Sequence, residues 1–236
     1  MPASDVLRRF ETAVVDFPLN LLDLPTPDGD IIPWYMKFNR IPRTSRGMQP
    51  RPPSVGRSSL AIMDSTKWVT IAQAGAHTDP HRDNAGLGTF LTCHQDNILF
   101  GWFDQPNGEI LESWKNDIDK KPEQGNYRVI ALQPGQTVYF PPGLVHCVCR
   151  EREGGLTLLY GGHVLRQRDL IKWINICIDL KHFPATTNES TDEIDKWIKA
   201  AAKIFAEVKR GSGDEQFWGR DVIEHFWQAL KAGIPP

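Results

Sequence analysis

Leu132-Gln-Pro-Gly-Gln-Thr-Val-Tyr-Phe-Pro-Pro-Gly-Leu-Val-His146 is the stretch that decides the fold. Two turn signals, Gln133-Pro-Gly135 and Pro141-Pro-Gly143, bracket the short strand Thr137-Val-Tyr-Phe140. Proline presets φ and glycine tolerates positive φ, so each turn reverses the chain within a few residues. On either side the sequence keeps the same grammar. Trp68–Gln73, Ile98–Phe103, Arg128–Leu132, Val145–Cys149 and Leu156–Tyr160 are short, β-branched and aromatic runs, several of them bounded by Gly or Pro. Many short strands of this kind point to a sandwich or a jelly-roll barrel. A polar connection at 104–127, with six acids against three lysines, interrupts them.

Beyond residue 166 the period changes from two to that of a helix. Ser190-Thr-Asp-Glu193 has the form of a capping box. Ile194, Trp197, Ile198, Ala201, Ile204, Phe205 and Val208 follow at helical spacing, and Gly211 ends the run. Asp169–Leu180 is a second helix candidate, and Trp218, Val222, Phe226 and Leu230 mark a last one. Upstream of the strands lie a helix candidate at 5–15, the apolar stretch Leu19–Leu24 and a Pro/Arg/Ser/Gly-rich loop at 41–59. Six Lys/Arg and no acid fall between Ile31 and Met63. That strip reads as a solvated loop or as a face for phosphate or an acidic partner. The reading is therefore α+β, mainly β with a helical appendix. Residues 1–59 are an N-terminal helix and basic loop packing on the core, 60–166 the β-core and 167–236 the helical region.

The composition agrees. A chain of 236 residues is one large domain, or a domain with an appendage. A formal net charge of −2 argues against a generally basic nucleic-acid binder. Four cysteines are no disulfide framework. The charged start lacks a secretory h-region, and no apolar run is long enough to span a bilayer. The expectation is an intracellular protein, nuclear or cytoplasmic, with no membrane partner.

Ala76-His-Thr-Asp-Pro-His-Arg-Asp83 carries the chemistry. It holds two overlapping His-x-Asp units, His77/Asp79 and His81/Asp83. On an extended segment, residues two apart point to one side. Either unit supplies two adjacent ligands for one metal, and His146 on a later strand supplies a third. Two imidazoles and a carboxylate on one face of an octahedron form the facial triad of non-haem Fe(II) oxygenases. The competing grouping of His146 with Cys93, Cys147 and Cys149 fails as a zinc site. Strand alternation turns Cys147 and Cys149 away from the His146 face.

Taken together these segments resemble the JmjC-domain oxygenases, in particular their lysine-demethylase branch with PHD-finger-linked members. Thr78-Asp-Pro-His-Arg-Asp83 is similar to the family's T-D-x-H-x-D. Leu132–His146 resembles its L-x-x-G-x-T-x-x-I-P-x-G-W-x-H, and Gly161-Gly-His-Val-Leu165 its G-G-N-F-L. Leu19–Leu24 and Ser59–Met63 resemble upstream segments, so the likeness runs over about residues 18–170. The family's threonine lies three residues before its first ligand. Carried over from Thr78, that selects His81, Asp83 and His146 as metal and catalytic residues.

The resemblance implies a double-stranded β-helix core of the jelly-roll, cupin-like kind. It also implies Fe(II) as the metal, 2-oxoglutarate as co-substrate, and hydroxylation or demethylation of a protein or peptide. Histone methyl-lysine, hence a chromatin role in the nucleus, is among the candidate substrates. Thr78 and His163, the latter where the family has Asn, are placed in the co-substrate pocket. The family's pocket lysine, about fifteen residues after the ligand acid, has no counterpart: that region reads Cys93-His-Gln-Asp-Asn97. His94 and Asn97 are the candidates there, with Arg128 or Arg150 as substitutes from other strands. Leu144 replaces the aromatic before the distal ligand, and two extra residues within Asn84–Gly88 lengthen the loop after Asp83. Two further readings stay open on the sequence. One is a metal-binding but catalytically silent module acting in protein interaction, the other a cupin-like metalloenzyme that does not use 2-oxoglutarate.

Overall fold

A computed structural model describes residues 16–24, 67–104, 108–119, 127–188, 190–209 and 219–233, with isolated residues 8, 10 and 106. The N-terminal helix candidate, the 41–59 loop and the basic strip lie almost wholly outside the described residues, as do Gly211 and Trp218.

The first strand, β1 (Asn20–Leu24), comes from the apolar stretch near the N-terminus. Eight more strands follow: β2 (Lys67–Ala72), β3 (His77–His81), β4 (Gly88–Gln95), β5 (Ile98–Phe103), β6 (Tyr127–Leu132), β7 (Thr137–Phe140), β8 (His146–Cys149) and β9 (Thr157–Val164). They form two antiparallel sheets, ordered β1-β2-β9-β4-β7 and β3-β8-β5-β6. From β2 onward the chain fills the sheets in nested order: two strands from each end of the run pair, then the next two. That order is a double-stranded β-helix, so the expected jelly-roll core is present. Leu91, Cys93, Ile98, Phe100, Leu132, Phe140, Val148 and Leu159 fill the space between the sheets.

Two strands, β3 and β4, are not marked by alternating sequence. β3 is polar and carries Pro80, yet it sits at the edge of its sheet, where a missing N–H is tolerated. β4 is buried on both faces along Gly88–Leu91, so it shows no in-out alternation. The polar 104–127 connection also contains a helix, α1 (Gly108–Asn116). Trp114 is 2% exposed and packs with Leu111 on Phe103 and Val145. One apolar stripe was enough to fold a segment whose composition reads as loop.

Three helices make a second layer: α2 (Leu170–His182), α3 (Asp192–Lys209) and α4 (Arg220–Gly233). Ser190 Oγ accepts from the Asp192 N–H at the start of α3. Leu170, Trp173, Ile174, Cys177 and Leu180 lie on one face of α2 and meet Ile194, Ile198, Ala201, Phe205, Ile223 and Phe226. The same cluster takes in Ala85 and Leu87, from the loop that follows β3. Among the described residues no helix is long and apolar enough to cross a membrane.

Candidate metal centre

The sheet register sets three side chains against one another. His81 ends β3 and pairs directly with His146, the first residue of β8. Their rings are 4.4 Å apart between centroids. Asp83 follows two residues later and turns back, placing Oδ1 3.8 Å from His81 Nε2 and 3.6 Å from His146 Nε2. These distances are too long for hydrogen bonds. They suit ligands around one ion at about 2.1 Å, which lie about 3.0 Å apart when cis and at most about 4.2 Å apart. His81, Asp83 and His146 offer donor atoms all within 4.8 Å of one another.

The imidazole tautomers are set by the backbone. His81 Nδ1 lies 2.7 Å from the Asp79 carbonyl oxygen, and His146 Nδ1 lies 3.2 Å from that of Leu144. A carbonyl only accepts, so each Nδ1 carries the proton. Each Nε2 therefore presents its lone pair toward Asp83. This is the partner arrangement that orients histidine toward a metal. Phe100 and Phe140 pack on the His146 ring and keep it buried. Burial pushes His146 down to about 4, so it is neutral at neutral pH. Burial pushes the Asp83 carboxyl up, but the His146, His163 and His81 imidazoles and the Thr89 hydroxyl outweigh it. The net direction is downward, and Asp83 is a carboxylate. A neutral imidazole at His146 and a carboxylate at Asp83 are protonation states that suit a divalent metal.

Thr89, which the sequence reading missed, joins this group from β4. Its hydroxyl donates to Asp83 Oδ2, and its oxygen lies 2.9 Å from His163 Nδ1. Because the Thr89 proton goes to Asp83, His163 Nδ1 is the donor to Thr89. The contact follows from the β4–β9 register, which sets Thr89 opposite His163. Nothing in a sequence six residues beyond Asp83 signals it. Arg82, also missed, lies between the two β3-side ligands and is 1% exposed. Its guanidinium pairs with Asp179 of α2, which also accepts from Lys115 of α1 at 2.8 Å.

The triad opens onto a cavity of about 510 Å³, counting space open to solvent. Trp68, Leu91, Phe140, Val148 and Leu159 give it apolar walls; Thr70, Thr78, Arg150, His163 and Asn188 give it polar groups. Trp68 crosses the face of Gly161, where a Cβ would come within 2.2 Å of the indole. Thr78 and His163 both line this cavity. His94 and Asn97 do not: both are exposed, and neither lines the cavity. His94 packs edge-on to Tyr160, and the Asn97 N–H donates to Asp96 at a sharp turn. Counting from the ligand acid puts these residues at the β4–β5 turn, away from the barrel interior. His77 and Asp79 face solvent, with side chains 63% and 87% exposed. Arg128 is on the outer strand β6 and pairs with Asp104. Arg150 is inside. Cys147 and Cys149 alternate with the buried His146 and Val148, as expected.

No protein-family model matches the chain, and no curated protein matches it. Several solved structures show partial likeness. Peruvianin-I, a cysteine peptidase from Thevetia peruviana latex, is 19% identical over 42% of this chain and 50% of its own, with a TM-score of 0.29. Hydroxypropylphosphonic acid epoxidase from S. wedmorenis is 13% identical over 41% of each chain, with a TM-score of 0.27. A cupin-like protein from Thermotoga maritima is 19% identical over 41% of this chain and 56% of its own, with a TM-score of 0.26. The chain spans about half the length of these proteins. At such scores the likeness carries no weight of its own. The cupin-like jelly roll is established by the strand order, and the three side chains form a group that could hold a metal ion.

Proposed function

We propose that this chain is an Fe(II)- and 2-oxoglutarate-dependent oxygenase of the JmjC type that hydroxylates or demethylates a protein or peptide. The observation that carries the reading is the convergence of His81 Nε2, Asp83 Oδ1 and His146 Nε2 on the wall of a cavity with apolar sides. Three ligands on one side leave positions open for other groups, as a non-haem Fe(II) site requires. The co-substrate and the protein substrate, a histone tail among the candidates, are inferred from the sequence resemblance.

Iron with 2-oxoglutarate and O₂ would supply oxidation of a C–H bond: one oxygen atom leaves in succinate as CO₂ is lost, the other hydroxylates the carbon, and a hydroxylated N-methyl group leaves as formaldehyde. The chain does the positioning. The Asp79 and Leu144 carbonyls hold both imidazoles with Nε2 forward. Thr89 fixes one oxygen of Asp83 and leaves the other directed at the histidines. Phe140, Leu91 and Leu159 exclude water from the inner wall. Thr78 faces the cavity with its hydroxyl oxygen accepting from Asn20 Nδ2 at 3.1 Å, which leaves its proton for a ligand.

The test is anaerobic addition of 2-oxoglutarate to the Fe(II)-loaded protein. A weak visible charge-transfer band is expected, absent from His81→Ala and His146→Ala. Iron binding with no response to 2-oxoglutarate would move the assignment to a metalloenzyme that does not use this co-substrate.

A further inference from the structure

Arg150 is the unexplained group of this cavity. It follows β8 directly, on the same side as His146 and Val148, and it is 5% exposed. Its Nε donates to Thr157 Oγ1 at 3.3 Å and its backbone N–H to the Ala76 carbonyl. Nη1 is buried with no partner among the described residues. Glu151 and Glu153, its neighbours in sequence, are exposed. Asp83, the only acid on the cavity wall among the described residues, is committed to the imidazoles and Thr89. Burial pushes the guanidinium down to about 10, so it stays cationic at neutral pH.

A buried cation without a counter-ion is costly. It persists where something else compensates it, and this one lines the same cavity as the triad. Arg150 lies four positions beyond His146, which is about 13 Å of extended backbone. Thr78, opposite Val148 in the β3–β8 register, lies between them with a hydroxyl proton to give.

We propose that Arg150 is the anion anchor of the cavity. With Thr78 it takes the free carboxylate of a small dicarboxylate whose other end reaches the metal. It thereby serves, from the end of β8, the role for which β5 offers no lysine. Only the metal-reaching end of that ligand rests on the function proposed above; the anchor itself rests on the orphaned guanidinium.

Calorimetric titration of the Mn(II)-loaded protein separates the two claims. The probes are 2-oxoglutarate, 2-oxobutyrate (the same chelating end without the distal carboxylate) and glutarate (both carboxylates, no keto group). Wild type should prefer 2-oxoglutarate over 2-oxobutyrate by roughly tenfold to a hundredfold, the range for one charge-assisted contact. Arg150→Met should erase that preference and Arg150→Lys retain part of it, with Mn(II) affinity unchanged. In the ligand-free protein, Arg150→Met should hold or raise the melting temperature, because it removes an unpaired buried charge. It should also lose the rise in melting temperature that 2-oxoglutarate gives to wild type. Arg150-dependent binding of glutarate equal to that of 2-oxoglutarate would retain the anchor and overturn the 2-oxoglutarate assignment. A preference that survives Arg150→Met, or no binding of any dicarboxylate, would overturn the anchor. So would a lower melting temperature in Arg150→Met with the ligand response intact.

Discussion

Thr89 shows how much one hydroxyl can decide. It spends its proton on Asp83 and its lone pair on His163, so it holds a ligand carboxylate and a cavity histidine together. Thr89→Val keeps the shape and removes both bonds. Metal affinity should fall roughly 10- to 100-fold, the usual cost of losing a partner of a metal ligand. Thr89→Ser should keep most of it, and equal affinity in Thr89→Val would deny Thr89 this role. His146 makes a second prediction at this scale. Its pKa falls from the ordinary 6.5 to about 4 through burial. Between those values the unfolded chain binds a proton that the folded chain refuses, so stability rises with pH across the window. The metal-free protein should therefore lose stability as pH falls from 6.5 to about 4. Asp83, held low, works in the same direction: its contribution is lost as pH falls through its folded pKa. Urea midpoints at pH 7 and pH 5 check this, and a midpoint that does not drop contradicts it.

At the scale of elements, the loop between β3 and β4 is held by the helical layer. Ala85 sits at φ 51, and its carbonyl accepts from Trp173 Nε1 at 2.8 Å. The Arg82 N–H donates to the Thr186 carbonyl at 2.8 Å, and its guanidinium meets Asp179. The helices thus set the direction in which Asp83 leaves β3. Asp179→Asn leaves the buried Arg82 guanidinium without its counter-charge, while Lys115 keeps Glu112. Removing one partner of a buried pair costs about 3 kcal/mol. The urea midpoint should drop accordingly, and iron should bind more weakly because Asp83 is less well held. A midpoint unchanged from wild type would make the triplet dispensable. None of this was legible in the sequence. Arg82 and Asp179 are 97 positions apart, and their pairing exists only once α2 packs on the loop. β4 was hidden for a different reason, since a strand buried on both faces loses the alternation that marks strands. By contrast, the amphipathic α2, α3 and α4 and the strands around Pro-Gly turns could be read directly, because turn chemistry and helical period are local. Arg150 was half-legible: alternation from His146 places it on the same face, whereas excluding Arg128 required knowing that β6 is an outer strand.

Across the whole molecule, the barrel and the helices share a core. Ala85 and Leu87 belong to the same apolar cluster as Trp173, Phe205 and Phe226. Heating should therefore give one transition, with helix content and tryptophan signal changing together. Two separate transitions would mean that the helices are an independent unit. The nested strand order brings β3 and β8 side by side from positions 65 residues apart and sets His81 against His146. The candidate metal centre is thus a product of topology, although the three residues proposed to form it could be named from the sequence by their likeness to a known motif. The most direct measurement is anaerobic equilibrium dialysis of Fe(II) against wild type, Asp83→Ala and Asp79→Ala. One iron per chain is expected in wild type and Asp79→Ala, and none in Asp83→Ala. Iron retained by Asp83→Ala and lost from Asp79→Ala would contradict the assignment of His81, Asp83 and His146.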